Sequence, residues 1–341
     1  MNQKKVTFAD IAEYTNFSKT TISRYFNNPD SLTLANQEKI GQALEHLGYQ
    51  ENKLAKVLAN GKSEFVGVIV PNLYLHYYSE MLNQILKSYQ DNNYKFLVFV
   101  GDQEKETEQK YIQELLAYKI EGLIVLSHTI PSKELAAYNI PVVTIERESE
   151  YVCGVTTDNY MGAVQATSLL IKNNCDVLIH INAFFPENSP ACGRIQGFQD
   201  ICTERKIPYE IIRKDFGSSY EDIYKQLKLI FTELENKYPG QKKGVFLSND
   251  TYANTLLNLI IQKYGRLPDT YRIVGFDNSP IASEAIVPIT TVGQQIDKIA
   301  HTALDLLVLQ MDEMKKRRPK PMKEPIHKQV TPVFLRRDTT E

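Results

Sequence analysis

Several residue types and signals are scarce in this 341-residue chain. It has no tryptophan, and its four cysteines lie far apart without CxxC or Cys/His spacing, so neither a metal site nor a disulfide framework is indicated. The polar first 30 residues contain no apolar signal core, and no apolar run approaches the roughly eighteen residues of a membrane span. We therefore expect a cytoplasmic protein with reduced cysteines, no metal and no membrane contact.

Motifs of common catalytic and nucleotide-binding loops are also absent. The chain has no GxSxG, no GxGxxG after a predicted strand and no GxxxxGK[ST], and its six histidines are scattered. These absences predict a protein that is not an enzyme, has no catalytic residues and needs no cofactor.

The charge balance excludes a uniformly basic protein. The chain has 39 Lys or Arg against 41 Asp or Glu, and 43% hydrophobic residues is an ordinary globular composition. Residues 1–62 hold eight Lys or Arg against six Asp or Glu. Any basic surface must therefore be local, and the length allows two or three compact units.

The first fifty residues predict three short helices. Thr7 and Ser18 are candidate N-caps of the first two, and the third runs from about 33 to 47 with Gly48 as its stop. Two helices joined by a tight turn and braced by a third form a helix-turn-helix.

The second of these helices has two different faces. Ile22 and Phe26 share one face, whereas Thr20 and Arg24 share another, because positions three and four apart are neighbours on a helix. The apolar face is expected to be buried. The polar face is either solvated or offered to a partner.

The rest of the chain predicts a short linker and an α/β core. Residues 51–63 (ENKLAKVLANGKS) predict a helix of two turns, too short to be stable alone, and therefore a conditional hinge. Beyond it, amphipathic stretches alternate with two sets of apolar runs: FVGVIV, KFLVFV, GLIVLS and PVVTI, then DVLIHIN, YEIIR, GVFLS and RIVGF. Such runs indicate two lobes with parallel sheets flanked by helices. A helix at about 295–314 and a last strand, VTPVFL, follow.

Seven stretches carry a family resemblance over nearly the whole chain, in the same order. They are VTFADIAEYTNFSKTTISRYFNN, EHLGYQENKLAKVLANGKS, VGVIVPN, GRIQGFQD, FLSND, IVGFDNSP and ITTVGQQ. Together they resemble the lactose-repressor-type (lactose, galactose and purine repressor) family of bacterial transcription regulators. The resemblance implies an α/β protein with an all-α helix-turn-helix headpiece over 1–50, a hinge helix over 51–62 and a two-lobed periplasmic-binding-protein-like core over 63–341.

The resemblance also implies how the core is divided. The first lobe would comprise about 63–160 and 293–320, and the second about 161–290 and 323–341, so that the chain crosses three times. The last strand would belong to the second lobe. Because no heptad-repeat tail follows that strand, we expect a homodimer rather than a tetramer.

For DNA, the resemblance implies contacts to a palindromic double-stranded operator. Base reading in the major groove falls on Lys19, Thr20 and Arg24, with Arg24 suited to a bidentate contact with guanine. Phosphate contacts fall on Thr7, Thr21, Ser23 and Asn27. In the hinge, the matching positions are Leu58, Ala55 and Lys56, with Leu58 as a wedge in the minor groove. The alternative for Leu58 is an ordinary apolar linker residue.

For the core, the resemblance implies an effector site between the lobes. Its residues would be Tyr77, Tyr78, Glu146, Arg147, Arg194, Phe216, Asn249, Asp277 and Gln294. The polar members suit several hydroxyl groups, and the aromatic members suit the C–H face of a pyranose, so a small sugar is the expected effector. Each residue could instead be structural.

Two kinds of alternative remain beside a sugar-controlled repressor of a carbohydrate operon. The same class of regulator could sense a nucleobase or nucleoside, which would also stack between aromatic rings. A periplasmic-type sugar carrier would share the core, but it would need an export signal and would have no use for Lys19, Thr20 and Arg24. An enzyme on this scaffold would need catalytic or nucleotide-binding motifs, which this chain lacks, as noted above.

Overall fold

The computed structural model describes residues 6–50, 63–88, 94–101, 104–217, 219–319 and 324–341. The chain forms two compact units, Met1–Lys62 and Ser63–Glu341. The predicted hinge over 51–62, with Ala55, Lys56 and Leu58, lies outside the described residues.

The smaller unit contains three helices, α1 (Phe8–Thr15), α2 (Lys19–Asn27) and α3 (Leu34–Leu47). Their ends confirm the predicted caps. Thr7 forms a capping box with Asp10, the Ser18 hydroxyl accepts from the amide of Thr21 at 3.1 Å, and Gly48 ends α3 in the left-handed conformation.

The apolar face of α2 is buried, as predicted. Ile22 is fully buried with Ile11 and Ile40, and the Phe26 ring stacks on Phe8 with centroids 5.2 Å apart. The opposite face of α2 is therefore directed away from the core of this unit.

The larger unit is built on twelve described strands. They are β1 (Phe65–Val70), β2 (Lys95–Val100), β3 (Gly122–Val125), β4 (Val142–Ile145), β5 (Cys153–Thr157), β6 (Val177–Ala183), β7 (Tyr209–Lys214), β8 (Lys243–Leu247), β9 (Tyr271–Asp277), β10 (Thr290–Gly293), β11 (His327–Val330) and β12 (Val333–Leu335). The first sheet has the order β11-β5-β4-β3-β1-β2, and the second has the order β12-β10-β9-β8-β6-β7.

Helices cover both faces of each sheet. They are α4 (His76–Lys87), α5 (Lys105–Ala117), α6 (Ser132–Ala136), α7 (Asn159–Lys172), α8 (Cys192–Arg205), α9 (Tyr220–Lys237), α10 (Asp250–Tyr264), α11 (Pro280–Glu284) and α12 (Ile296–Met314). In β1, Val66, Val68 and Val70 pack into one apolar cluster and Ile69 into another on the opposite face. Burial on both faces explains the nearly continuous apolar runs of these strands.

The chain passes between the sheets three times, after Thr157, after Gly293 and after Val330. The third passage corrects the prediction of a single last strand in the second lobe. Of VTPVFL (330–335), Val333–Leu335 forms β12, which pairs antiparallel with β10 of the second sheet as predicted, whereas Val330 ends β11, which pairs in parallel with β5 of the first sheet. Pro332 stands between them, and because proline has no N–H it cannot continue a ladder. Residues 327–330 therefore belong with the first lobe.

Three of these strands were not predicted. The sequences of β5 and β10, CGVTT and TTVG, contain few large apolar residues, and β11 is the polar stretch HKQV. All three pair in parallel with a neighbouring strand. The order of the strands places the carboxyl ends of both sheets around the crossing segments, where ligands bind in open α/β folds.

Candidate functional site

A cavity of about 320 Å³ lies between the carboxyl ends of the two sheets. Eight of the nine predicted effector residues line it: Tyr77, Tyr78, Glu146, Arg194, Phe216, Asn249, Asp277 and Gln294. The ninth, Arg147, does not. The two lobes thus bring residues that are up to 217 positions apart in the sequence to one cavity.

Arg194 is held rigidly at the floor of the cavity. Its Nε donates to Asn159 Oδ1 at 2.7 Å, one terminal nitrogen donates to the carbonyl of Ser248, and the guanidinium lies 3.7 Å from the centroid of the Phe276 ring. Its closest approach to Asp277 is 4.0 Å. These contacts fix the guanidinium before any ligand arrives, which lowers the entropic cost of binding.

Gln294 joins the two lobes within the same wall. Its Nε2 donates to Asp277 Oδ1 at 2.5 Å, and its Oε1 accepts from the Thr157 hydroxyl at 2.8 Å. Thr157 ends β5 and its backbone amide donates to Glu146, which also accepts from Asn159 Nδ2 at 3.0 Å. The polar groups therefore form one connected network rather than isolated side chains.

Burial changes the acidity of the carboxyl groups in this network. Desolvation raises the pKa of Asp277 well above its usual value, and Asp250 raises it further, against the opposing effect of Arg194. Desolvation also raises the pKa of Glu146, against Arg194 and the hydrogen bonds from Asn159 and Thr157. Burial therefore disfavours the charged form of both carboxyl groups.

Aromatic rings form the apolar part of the wall. The Phe216 and Tyr252 rings are in contact with centroids 4.3 Å apart, and Tyr77 and Tyr78 meet edge to face at 5.3 Å. Tyr252 was not predicted. Its position in the first turn of α10, directly after β8, would have indicated it, because strand carboxyl ends line this cleft.

Further residues that line the cavity were not predicted. They also follow strand ends, namely Asn72, Tyr74, His128, Phe184, Phe185, Lys214 and Asp215. Phe184 is 63% exposed, and the His128 ring lies 6.2 Å from that of Phe185. Burial and the nearby Arg147 lower the pKa of His128 to about 4, so this ring is neutral near pH 7.

Three buried polar atoms of the wall have no hydrogen-bond partner among the described residues. They are Asn72 Nδ2, the Tyr77 hydroxyl and Ser248 Oγ. An unpartnered buried polar group costs about 1–3 kcal/mol. These atoms are therefore available for a polar ligand.

Arg147 has a different role from the one predicted. Its guanidinium donates to the carbonyls of Ser127 and Ile130, which frame the loop that presents His128 and Thr129 to the cavity. The chain turns sharply between strand and loop because Glu146 has φ 54°. The two neighbouring side chains consequently diverge, and Arg147 supports the loop from behind.

In the smaller unit, the predicted base-reading residues lie on the outer face of α2. Lys19, Thr20 and Arg24 are exposed, and neither cation forms an ion pair or hydrogen bond with a described residue. The predicted phosphate contacts are partly engaged in hydrogen bonds within this unit. Thr7 caps α1, the Thr21 hydroxyl lies 2.8 Å from that of Ser18, and Asn27 donates to Ser23 at 3.1 Å.

The helix-turn-helix unit, with the exposed face of α2, and the two-lobed core, with its cavity, are the parts of a ligand-controlled DNA-binding transcription regulator. The family model described as bacterial regulatory proteins of the lacI family matches residues 7–52, and that of a periplasmic binding protein-like domain matches 169–332. The chain thus combines a lacI-family DNA-binding domain with a periplasmic binding protein-like domain. None of its described helices is long and apolar enough to cross a membrane.

Two curated relatives and one solved structure match this chain over most of its length. The chain is 27% identical to a ribose operon repressor of Halalkalibacterium halodurans, over 90% of this chain and 91% of the relative. It is 26% identical to a sucrose operon repressor of Pediococcus pentosaceus, over 89% and 92%. A crystal structure of the lac repressor dimer bound to operator and the anti-inducer ONPF superposes with a TM-score of 0.82 at 21% identity, covering 99% of each chain.

Proposed function

We propose that the protein is a homodimeric repressor of a carbohydrate-uptake or catabolic operon, whose operator affinity is controlled by a small sugar bound in the cavity. It acts in the cytoplasm, on DNA, and transforms no substrate. The names of the ribose and sucrose operon repressors support the link to carbohydrates.

The observation that carries this proposal is the composition of the cavity wall. Asp277 lies between Gln294, which donates to it, and Arg194, and the Phe216 and Tyr252 rings line the same cavity. Fixed donors and acceptors beside flat apolar rings match a ligand with several hydroxyl groups and a C–H face.

On the DNA side, Lys19, Thr20 and Arg24 would read bases in the major groove of each half of a palindrome. Thr7, Thr21, Ser23 and Asn27 would contact phosphates and set the register. Leu58, flanked by Ala55 and Lys56, would wedge into the minor groove at the centre of the site, at a cost of a few kcal/mol. Effector binding would then alter how the paired subunits hold this wedge.

The test begins with selection of operator sequences from a random duplex pool by the purified protein. Binding to the selected duplex is then measured with a panel of mono- and disaccharides and with nucleosides. We expect an inverted repeat to be selected and one sugar to change its affinity while remaining chemically unchanged. Turnover of the sugar, or a response only to nucleosides, would contradict the proposal.

Two headpiece variants separate sequence reading from net charge. Arg24→Ala removes the expected bidentate contact and should weaken binding to the selected operator by about 1–3 kcal/mol while relaxing specificity at one base pair. Lys39→Ala removes the same charge from α3, where Lys39 Nζ lies 5.0 Å from the Phe17 ring centroid. It should leave the preferred sequence unchanged.

A further inference from the structure

A short basic segment follows α12 in the core. We call residues 315–318 the basic turn; they are Lys315, Lys316, Arg317 and Arg318, all exposed. The rest of the core has the opposite tendency, because outside residues 1–62 the chain holds 31 Lys or Arg against 35 Asp or Glu. The basic turn is therefore a local exception on an acidic body.

Its contacts place the basic turn beside the first residues of the core. Lys315 Nζ lies 3.1 Å from Glu121 Oε2 and donates to the Tyr94 hydroxyl at 2.9 Å. The other oxygen of Glu121 accepts from the backbone amide of Glu64 at 2.8 Å. Glu64 precedes β1, so the turn lies at the amino ends of the first sheet, on the side opposite the cavity, where the chain arrives from residues 51–62.

The four charges are not equally available. Lys315 is paired with Glu121 and Asp312, and Lys316 is paired with Glu313. Arg317 and Arg318 form no ion pair or hydrogen bond with any described residue. Two guanidinium groups are thus presented to solvent from an anchored turn, and their planar forks suit phosphate oxygens.

We infer that the basic turn, through Arg317 and Arg318, contacts the phosphates of duplex DNA flanking the operator. This inference rests on the proposed function, since it requires the headpiece to hold an operator. The twelve residues 51–62 can span at most about 40 Å even when fully extended, so the flanking duplex is kept near the point where the chain enters the core. The contact adds affinity without reading sequence.

The experiment compares two double variants of the full-length protein on two duplexes. Arg317→Gln/Arg318→Gln removes the two unpaired charges. Lys225→Gln/Lys228→Gln removes two exposed charges from α9 of the second lobe and matches the change in net charge. One duplex is the minimal operator, and the other carries one further helical turn, about 10 base pairs, on each side.

Affinity is measured by fluorescence anisotropy over a range of salt concentrations. Each phosphate contact contributes about 0.9 to the slope of log affinity against log salt, which corresponds to about eightfold in affinity at 0.1 M salt. For Arg317→Gln/Arg318→Gln we expect a weakening of at least about eightfold and a shallower slope on the flanked duplex. Its affinity for the minimal operator should match that of the wild-type protein.

Several outcomes would overturn the inference. Unchanged affinity and slope on the flanked duplex would show that the basic turn does not contact DNA. An equal loss with Lys225→Gln/Lys228→Gln would assign the effect to net charge, and an equal loss on the minimal operator would place the effect within the operator itself. Failure of the wild-type protein to prefer any operator would overturn the proposed function as well, whereas the first three outcomes leave it intact.

Discussion

Tyr77 shows how a single atom can serve binding at the expense of stability. Its side chain is 8% exposed, its hydroxyl has no hydrogen-bond partner among the described residues, and it lines the cavity. A folded protein without ligand therefore carries the desolvation cost of this hydroxyl. A ligand hydroxyl that reaches it would recover that cost.

This arrangement predicts opposite effects of Tyr77→Phe on stability and binding. The free energy of unfolding of the variant should equal that of the wild-type protein or exceed it by up to about 1 kcal/mol. Its affinity for the effector should be up to about tenfold weaker. Urea denaturation and calorimetric titration measure the two quantities. The matched control is Tyr271→Phe, because that hydroxyl donates to Glu235 at 2.6 Å away from the cavity. It should lose stability and keep effector affinity; unchanged effector affinity in Tyr77→Phe would contradict the prediction.

Asp250 makes stability depend on pH. It is fully buried, accepts hydrogen bonds from Ser279 and Thr291, and burial raises its pKa from 3.8 to about 7 despite these bonds. Because the folded state holds this proton more tightly than the unfolded state, the stabilisation is present below pH 3.8 and is lost as pH rises through about 7.

We therefore expect the free energy of unfolding to decrease from pH 5 to pH 8, and Asp250→Asn to flatten this decrease. The amide can replace the neutral carboxyl group because the Thr291 hydroxyl, 2.6 Å away, is able to accept as well as donate. Urea denaturation at several pH values is the measurement. Asp269→Asn, whose side chain is fully exposed, should retain the wild-type slope. An unaltered slope in Asp250→Asn would show that Asp250 does not cause it.

The sequence predicted residue types in the cavity better than the direction of each side chain. Glu146 and Arg147 follow the same strand and both were assigned to the effector site. Only Glu146 lines the cavity, and its backbone has the positive φ of 54°, whereas Arg147 donates to the carbonyls of Ser127 and Ile130. A backbone conformation of this kind depends on tertiary contacts, which no local pattern records.

At the scale of elements, predictions were confirmed where a feature depends only on residues that are neighbours in the sequence. Caps at Thr7, Ser18 and Gly48 depend on residues within one turn, so they could be predicted. The strand β11 depends on pairing with β5, far away in the sequence, and its polar residues gave no such signal. Residues 327–330 form a strand because they pair with the edge of the first sheet at β5.

The packing of α8 against α7 depends on one glycine. A Cβ atom at Gly197 would lie 2.6 Å from the backbone oxygen of Tyr160 and 3.1 Å from Ala163 Cβ. The backbone of α7 cannot yield locally, so the two helices would have to separate. Arg194 lies one turn earlier on α8, and the same shift would move it in the cavity.

Gly197→Ala should therefore destabilise the core by about 1–3 kcal/mol, although alanine is the better helix former by about 1 kcal/mol. Effector affinity should fall with it. Thermal and urea denaturation measure the first effect, and calorimetric titration measures the second. Gln196→Ala on the exposed face of the same helix should be nearly neutral in both. A gain of stability in Gly197→Ala would mean that the helices have room to separate at no cost.

At the scale of the whole molecule, the three segments that cross between the lobes are tied together. The Thr157 hydroxyl donates to Gln294 at 2.8 Å, Gln295 Nε2 donates to the Thr331 carbonyl at 2.6 Å, and the Asp158 amide donates to the Val330 carbonyl at 3.0 Å. Because these segments lie side by side, a rotation of one lobe against the other would be concentrated in them. We call these three segments the interlobe hinge, which is distinct from the predicted hinge helix over 51–62. A hinge between two lobes is a common element of ligand-controlled switches.

If the interlobe hinge controls how operator is bound, effector binding and operator binding are thermodynamically linked. A sugar that contacts Arg194 of one lobe and Tyr77 of the other stabilises one arrangement of the lobes, and it can change operator affinity only by its difference in affinity for the two arrangements. If the sugar changes operator affinity by a given factor, the operator must change sugar affinity by the same factor, typically about 5- to 150-fold.

We expect calorimetric titrations of the sugar, with and without saturating operator, to give the factor that anisotropy gives for operator binding with and without sugar. A scrambled duplex is the control and should leave sugar affinity unchanged. If operator has no effect on sugar affinity, the cavity does not control DNA binding, however tightly the sugar binds.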